Sequence, residues 1–359
     1  MTSLFDPGML GDIQIANRVV MAPMTRSRAG DGDVPTDLHV EYYRQRAGAG
    51  LIITEGTQPS PAGKGYCRTP GIHSSSQIKA WRKVTDAVHA EGGKIVLQLM
   101  HVGRVASHLN KAPGVETIAP SAIQAAGEMF TESGMVPLDT PRAIETDEIP
   151  SIIEEYASAA RNAVQAGFDG VELHCTSGYL PAQFLSSGSN HRTDGYGGPA
   201  ANRIRFVVET IQALSRAIGS ERVGFRICPG NPFNDIHDDD PVETYGLLLK
   251  TLSPLGLAYL HLIDWPNPQI ESLPLAQSCW QGPLILNESI TLERAKTLIS
   301  GKTADAVSFG RPFIANPDLV LRFRKGLPLA EFDPNTLYSP GPEGYVTYPP
   351  AEIGGGVAD

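Results

Sequence analysis

Eight short apolar runs punctuate the chain, each closed by small or polar residues: Arg18–Met24, Leu51–Gly56, Lys94–Met100, Gly170–Cys175, Val223–Cys228, Ala258–Asp264, Gly282–Leu286 and Ala306–Arg311. Runs with so little polar alternation suit strands covered on both faces. Between them lie stretches with apolar residues at helical spacing: Asp37–Ala47, Ser76–Glu91, Asp147–Ala166, Asn202–Ile218, Glu243–Leu252, Thr291–Ile299 and Asn316–Lys325. In Ser76–Glu91, Trp81, Val84 and Val88 share a face and Gly92-Gly93 supplies the stop. In Asn202–Ile218 the inward stripe is Ile204, Val207, Val208, Ile211 and Leu214. Repeated strand–helix units predict a (β/α)8 TIM barrel of the α/β class, a single domain over residues 1–359. A doubly wound sheet is the weaker reading, because no run is followed by a G-x-G-x-x-G turn.

Three segments stand outside this rhythm. Gly11–Asn17 alternates apolar and polar residues between turn formers and predicts an N-terminal hairpin that plugs the barrel's bottom. Residues 101–146 form a long insertion after the third run, rich in Pro, Gly, Ser and Ala, and loops of that length act as lids or small subdomains. Residues 338–359, with four prolines and a Gly-Gly-Gly, predict an extended C-terminal tail.

Composition narrows the function. A net charge of -10 without a lysine or arginine cluster gives no phosphate-tracking stripe, so nucleic acid is not an expected partner. No secretion signal and no bilayer-spanning run is legible, so the expectation is a cytoplasmic protein without membrane contact. Cys67, Cys175, Cys228 and Cys279 are widely spaced, which suits reduced thiols and predicts no structural metal. His237-Asp238-Asp239-Asp240 precedes Pro241 and a helix, so it reads as a solvated loop ending in an N-cap aspartate. Arg192, Asp194 and Arg203 are expected to hold the loop after the fourth strand.

In such a barrel the chemistry sits at the carboxyl ends of the strands. Those ends deliver Ala22, Pro23, Met24 and Thr25, then Glu55 with Gly56, Gln98, Met100, His174, Arg226, and Gly310 with Arg311. Histidine is a poor filler for a barrel's middle, but at the rim His174 can aim a ring N–H at a bound oxygen. Paired carboxylates, a serine at a sharp elbow and metal-ligand spacing are all missing from this set, which argues against hydrolysis and metal catalysis. The amide of Gln98 can make a two-point contact with a pyrimidine-like edge, Arg226 can stabilise negative charge on a ring, and Gly310-Arg311 can hold a phosphate. These are the needs of a flavin mononucleotide (FMN). Taken singly, Arg226 reads as a structural ion-pair partner, Gln98 as a satisfied interior amide and Tyr179 as a packing aromatic; their coincidence at successive strand ends favours one shared pocket.

Nearly end to end, the chain resembles the Old Yellow Enzyme family. The phrases that carry the resemblance are Asn17–Arg28 (NRVVMAPMTRSR), Leu97–Arg104 (LQLMHVGR), Val171–Leu185, Asn190–Arg203 (NHRTDGYGGPAANR), Phe309–Leu319 (FGRPFIANPDL) and Leu337–Tyr348 (LYSPGPEGYVTY). The resemblance implies an FMN-dependent ene reductase, a monomer or homodimer, that takes hydride from NAD(P)H and passes it to an α,β-unsaturated carbonyl or similar activated alkene. It implies that Ala22, Pro23, Met24 and Thr25 line the flavin, that Gly56 and Gln98 meet its pyrimidine edge, that Arg226 sits beside N1, and that Gly310 and Arg311 take the phosphate. His174 and Ser177 would then bind the substrate carbonyl, Tyr179 would donate the proton, and Tyr66, Met100 and Tyr338 would wall the substrate pocket.

Three departures from the family pattern carry consequences. Ser177 stands where asparagine or a second histidine is usual, which weakens carbonyl polarisation by roughly 1–3 kcal/mol if one donor is lost. Met100 replaces a common tryptophan and predicts a roomier pocket. Asn287-Glu288-Ser289 replaces a glycine-rich phosphate loop, so an inward Glu288 would oppose the FMN phosphate. The alternative is a repurposed relative that catalyses an isomerisation, an oxidation or a flavin-independent step on a natural-product intermediate; a silent binding barrel is the third reading.

Overall fold

A computed structural model describes residues 2–351. Eight strands, Val19–Met21 (β1), Leu51–Ile53 (β2), Ile95–Leu99 (β3), Gly170–His174 (β4), Val223–Ile227 (β5), Tyr259–Ile263 (β6), Leu284–Asn287 (β7) and Ala306–Phe309 (β8), form a closed barrel in chain order. Each pairs in parallel with the next, and β8 closes on β1 with Val307 opposite Val19 and Phe309 opposite Met21. The strands are shorter than the apolar runs that signal them. In β1 the reason is chemical: Ala22 N still donates to Phe309 O at 3.0 Å, but Pro23 has no N–H with which to continue the ladder.

The helices cover the outside as their apolar stripes require. Trp81, Val84 and Val88 of Ser75–Ala90 are all fully buried, and Ser74 with Gln77 forms a capping box at its start. Asp240 caps Pro241–Leu252, accepting from Glu243 N at 2.9 Å, as the loop reading of that acidic run anticipates. Arg192 pairs with Asp194, and Arg203 binds Leu185 O at 2.8 Å and Asp238 at 3.0 Å, so these residues do hold the loop after β4. Helix Ser272–Cys279 escapes the periodicity reading, because Pro274 and flanking polar residues blur its stripe.

The N-terminal hairpin pairs Gly8–Leu10 with Ile13–Ile15 through Gly11 at φ +59°. Leu10, Ile13 and Ile15 pack beneath the barrel against Val20, Leu51, Ile53, Val96 and Ile285. A side chain on Gly11 would place its Cβ 2.2 Å from Glu221 O. Within residues 101–146, Glu128–Thr131 and Gly134–Pro137 form an antiparallel hairpin, and Ile118–Ala119 pairs with Arg142–Ala143 at its base. Among the described residues no helix is long and apolar enough to cross a membrane.

Over its described residues, up to 351, the tail carries no helix or strand, yet it does not run free. Arg28 donates to the carbonyls of Thr336, Leu337 and Glu343, and Arg26 donates to that of Gly344. Tyr345 is completely buried and stacks on Tyr42 at 4.0 Å between ring centroids. Residues 352–359, with the triple glycine, lie outside the described residues. Truncating this anchor by Tyr345→Ala should lower unfolding free energy by about 3 kcal/mol in a urea titration. A loss below about 1 kcal/mol would show that the tail is not part of the cooperative fold.

Candidate active site

The carboxyl ends of the strands open onto a cavity of about 720 Å3. Pro23 and Thr25 reach it from β1, Gly56 from β2, Gln98 and Met100 from β3, His174, Ser177 and Tyr179 from β4, and Arg226 from β5. Tyr66, Met129 and Phe130 close one side, and Tyr338 with its neighbours in the tail closes another. Eleven of the fifteen residues singled out by sequence therefore share one cavity. Ala22, Met24 and Gly310 sit together just beside it: a Cβ on Gly310 would lie 3.6 Å from Met24 Sδ and 4.0 Å from Ala22 Cβ. Arg311 opens the short helix Arg311–Ala315 with its side chain exposed, and it does not line the cavity.

The turn after β4 is what gathers the polar groups. Ser177 and Gly178 both take positive φ, +57° and +75°, which reverses the chain within two residues. Only glycine fits at 178, because a Cβ would meet Asn234 Cβ at 2.7 Å and Phe233 O at 2.8 Å. Asn234 Nδ2 locks the turn by donating to Ser177 O at 2.7 Å. Tyr179 then points back, its ring 5.1 Å from that of His174 and its hydroxyl 2.9 Å from the Tyr66 hydroxyl.

Burial sets the charge states. Desolvation, followed by the nearby Arg226 and His261, holds His174 well below the usual histidine range, so its imidazole is neutral. Its Nδ1 is buried with no protein partner. Desolvation likewise pushes the Tyr179 phenol well up, with Tyr66 adding to the effect. Arg226 loses some basicity to burial while Glu172 raises it; Nη2 donates to Asn287 Oδ1 at 2.8 Å, and Nε is buried without a partner. His174 Nδ1 and Arg226 Nε, both buried without a partner, thus belong to residues that line a cavity of the size small-molecule sites take.

Sequence reasoning missed the layer beneath. Gln98 Nε2 donates to Glu172 Oε1 at 2.8 Å, Glu172 Oε2 meets His261 Nδ1 at 2.9 Å, and His261 Nε2 meets Ser308 Oγ at 2.8 Å. The rule that histidine does not fill a barrel's middle is overturned by His261, which is 0% exposed because a buried carboxylate satisfies it. Glu172 and His261, charged or polar residues in otherwise apolar strand runs, were the signal available in the sequence. The two-point contact expected of Gln98 is also limited, since its amide nitrogen is already engaged.

Comparison with known proteins identifies the family. The NADH:flavin oxidoreductase / NADH oxidase family matches residues 3–330. The chain is 42% identical over 353 residues to a probable flavin mononucleotide-dependent alkene reductase of Leishmania infantum, covering 96% of this chain and 97% of that protein. The chain belongs to the Old Yellow Enzyme family. It is also 40% identical to 12-oxophytodienoate reductase 1 of Oryza sativa subsp. japonica, over 96% of this chain and 92% of the relative. The solved structure of an old yellow enzyme homologue from Zymomonas mobilis superposes with a TM-score of 0.94 at 41% identity, covering 97% and 99% of the two chains. Morphinone reductase superposes with a TM-score of 0.93 at 46% identity, covering 98% and 97%.

After β7 this Old Yellow Enzyme carries Asn287-Glu288-Ser289. Asn287 turns its side chain to Arg226 and to Ser308 O. Glu288 takes φ +102°, a conformation suited to glycine, and its carboxylate accepts from the Ser289 hydroxyl at 2.8 Å. Its negative charge is felt at Arg226. Glu288→Gly relieves the backbone and removes that charge, so FMN affinity should rise about tenfold in a fluorescence-quenching titration; unchanged affinity would show that the carboxylate faces away from the phosphate. For His174 and Tyr179 the expectation concerns pH. With one depressed and the other raised, neither changes charge between about pH 6 and 9, so affinity for a neutral carbonyl ligand should vary less than about twofold there. An inflection near the ordinary histidine value would mean the imidazole is solvated.

Proposed function

We propose that the cavity performs FMN-dependent ene reduction, moving hydride from NAD(P)H to an α,β-unsaturated carbonyl or similar electron-poor alkene. The observation that carries this reading is the convergence of neutral His174, protonated Tyr179 and cationic Arg226 on one cavity. Bound FMN supplies reversible hydride storage between the two half-reactions. Ala22, Pro23, Met24, Thr25, Gly56, Gln98, Arg226, Gly310 and Arg311 are the residues that would hold it, with Arg226 favouring a negatively charged ring.

The chain's own work lies in orienting the alkene and delivering a proton. His174, as a neutral imidazole with a free edge, donates to the substrate carbonyl, and the Ser177 hydroxyl adds a shorter-reaching second donor. Polarised in this way, the alkene becomes electron-poor at its β-carbon, where hydride arrives. Tyr179 gives its hydroxyl proton to the α-carbon, and the Tyr66 hydroxyl, 2.9 Å away and partly exposed, relays a proton from solvent to the phenolate. Met129 and Phe130 on one side of the cavity and Tyr338 on another favour an apolar substrate body.

Four buried free thiols suit a reducing, cytoplasmic setting. No observation favours the isomerisation, oxidation or flavin-independent alternatives, and Gln98 and Arg226, the groups suited to a flavin ring, both line the cavity. Purified chain should be yellow and should bleach under NADPH. In stopped flow, Tyr179→Phe should slow alkene reduction by about 10²–10⁴-fold while leaving flavin reduction by NADPH near wild type. Equal loss in both half-reactions would remove Tyr179 from its role as acid.

A further inference from the structure

The layer under the cavity supports an assignment that rests on the FMN reading and goes beyond it. Gln98, Glu172, His261 and Ser308 form one continuous hydrogen-bonded chain across β3, β4, β6 and β8, and none is more than 2% exposed. Both oxygens of Glu172 are engaged by nitrogen, from Gln98 on one side and from His261 on the other. The amide of Gln98 turns its NH2 toward Glu172, whose carboxylate oxygen accepts. The amide oxygen is thereby left for the cavity that Gln98 lines. A second arm reaches the same strand: Arg226 donates to Asn287, and Asn287 Nδ2 donates to Ser308 O at 3.1 Å. The two groups that would face a flavin's pyrimidine edge are thus braced by one buried layer, one as an acceptor and the other as a cation.

We propose that Glu172 is a positioning residue for the cofactor: through Gln98 it fixes the polarity of the pyrimidine-edge contact, presenting an oxygen that accepts the ring's N3–H. Without a partner of defined polarity, an amide can offer either end to a ligand, because its two ends are nearly the same size. A carboxylate behind it removes that freedom. A merely structural Glu172 would tie β4 to β3 and β6, and its loss would weaken every flavin alike. A polarity-setting Glu172 matters only for a flavin that has a proton on N3.

The probe that separates these roles is 3-deaza-FMN, in which carbon replaces N3 and the N–H donor is lost. Binding of FMN and of 3-deaza-FMN to the flavin-stripped full chain is measured by fluorescence quenching, for wild type and for Glu172→Leu. Wild type should prefer FMN by about tenfold, the effect of one well-made hydrogen bond. Glu172→Leu frees the Gln98 amide and should lose most of that preference, by weakening FMN alone. Wild type holding both flavins equally overturns the proposal, and this comparison needs no variant to fold. Glu172→Leu keeping the preference, or weakening both flavins by one factor, overturns it as well. Ser308→Ala, a gentler change at the far end of the chain, should reduce the preference in part and leave 3-deaza-FMN binding unchanged; a preference left whole counts against the proposal. If wild type binds neither flavin, the ene reductase reading itself fails.

Discussion

Closure of the ladder between β8 and β1 is the constraint on which everything else rests. It makes neighbours of residues nearly three hundred positions apart and leaves no exposed edge in the sheet. Every strand then presents its carboxyl end to the same rim, so a cavity forms from segments that share no local sequence logic. The hairpin beneath and the tail above are consequences: one fills the narrow end with Leu10, Ile13 and Ile15, and the other is drawn over the mouth by the buried guanidinium groups of Arg26 and Arg28.

A closed barrel also creates a dry interior, and dryness sets the electrostatics. His174 is kept neutral and Tyr179 protonated chiefly because neither can be hydrated as an ion. The same dryness makes an isolated buried carboxylate untenable, and Glu172 is tolerated because Gln98 and His261 satisfy it and Arg226 stands close enough to feel its charge. Barrel interiors are usually packed with branched apolar residues. Here part of that packing is exchanged for a hydrogen-bonded layer directly under the site.

Strain is concentrated where the chain leaves the strands. Ser177, Asn234, Asp235, Glu288 and Ser289 all take positive φ without being glycine, and all lie in loops at the rim. At Ser177 the conformation has a clear purpose, since it turns Tyr179 back over His174. At Glu288 a carboxylate occupies a backbone position suited to glycine, near the cation of Arg226.

The sequence by itself determined the barrel, because uninterrupted apolar runs and amphipathic stretches report local burial, and burial of that kind is written residue by residue. It also determined the rim set from Pro23 to Arg226, because strand ends can be read once the runs are found. What it could not determine was pairing across the interior. That Glu172 meets His261, eighty-nine positions away, and that Asn287 serves Arg226 follow only from strand register. The anchoring of the tail through Tyr345 and the reach of Asn234 to Ser177 were equally invisible. Such contacts are long-range and polar, and a polar residue looks the same in sequence whether it faces solvent or a buried partner; only the closed sheet decides which.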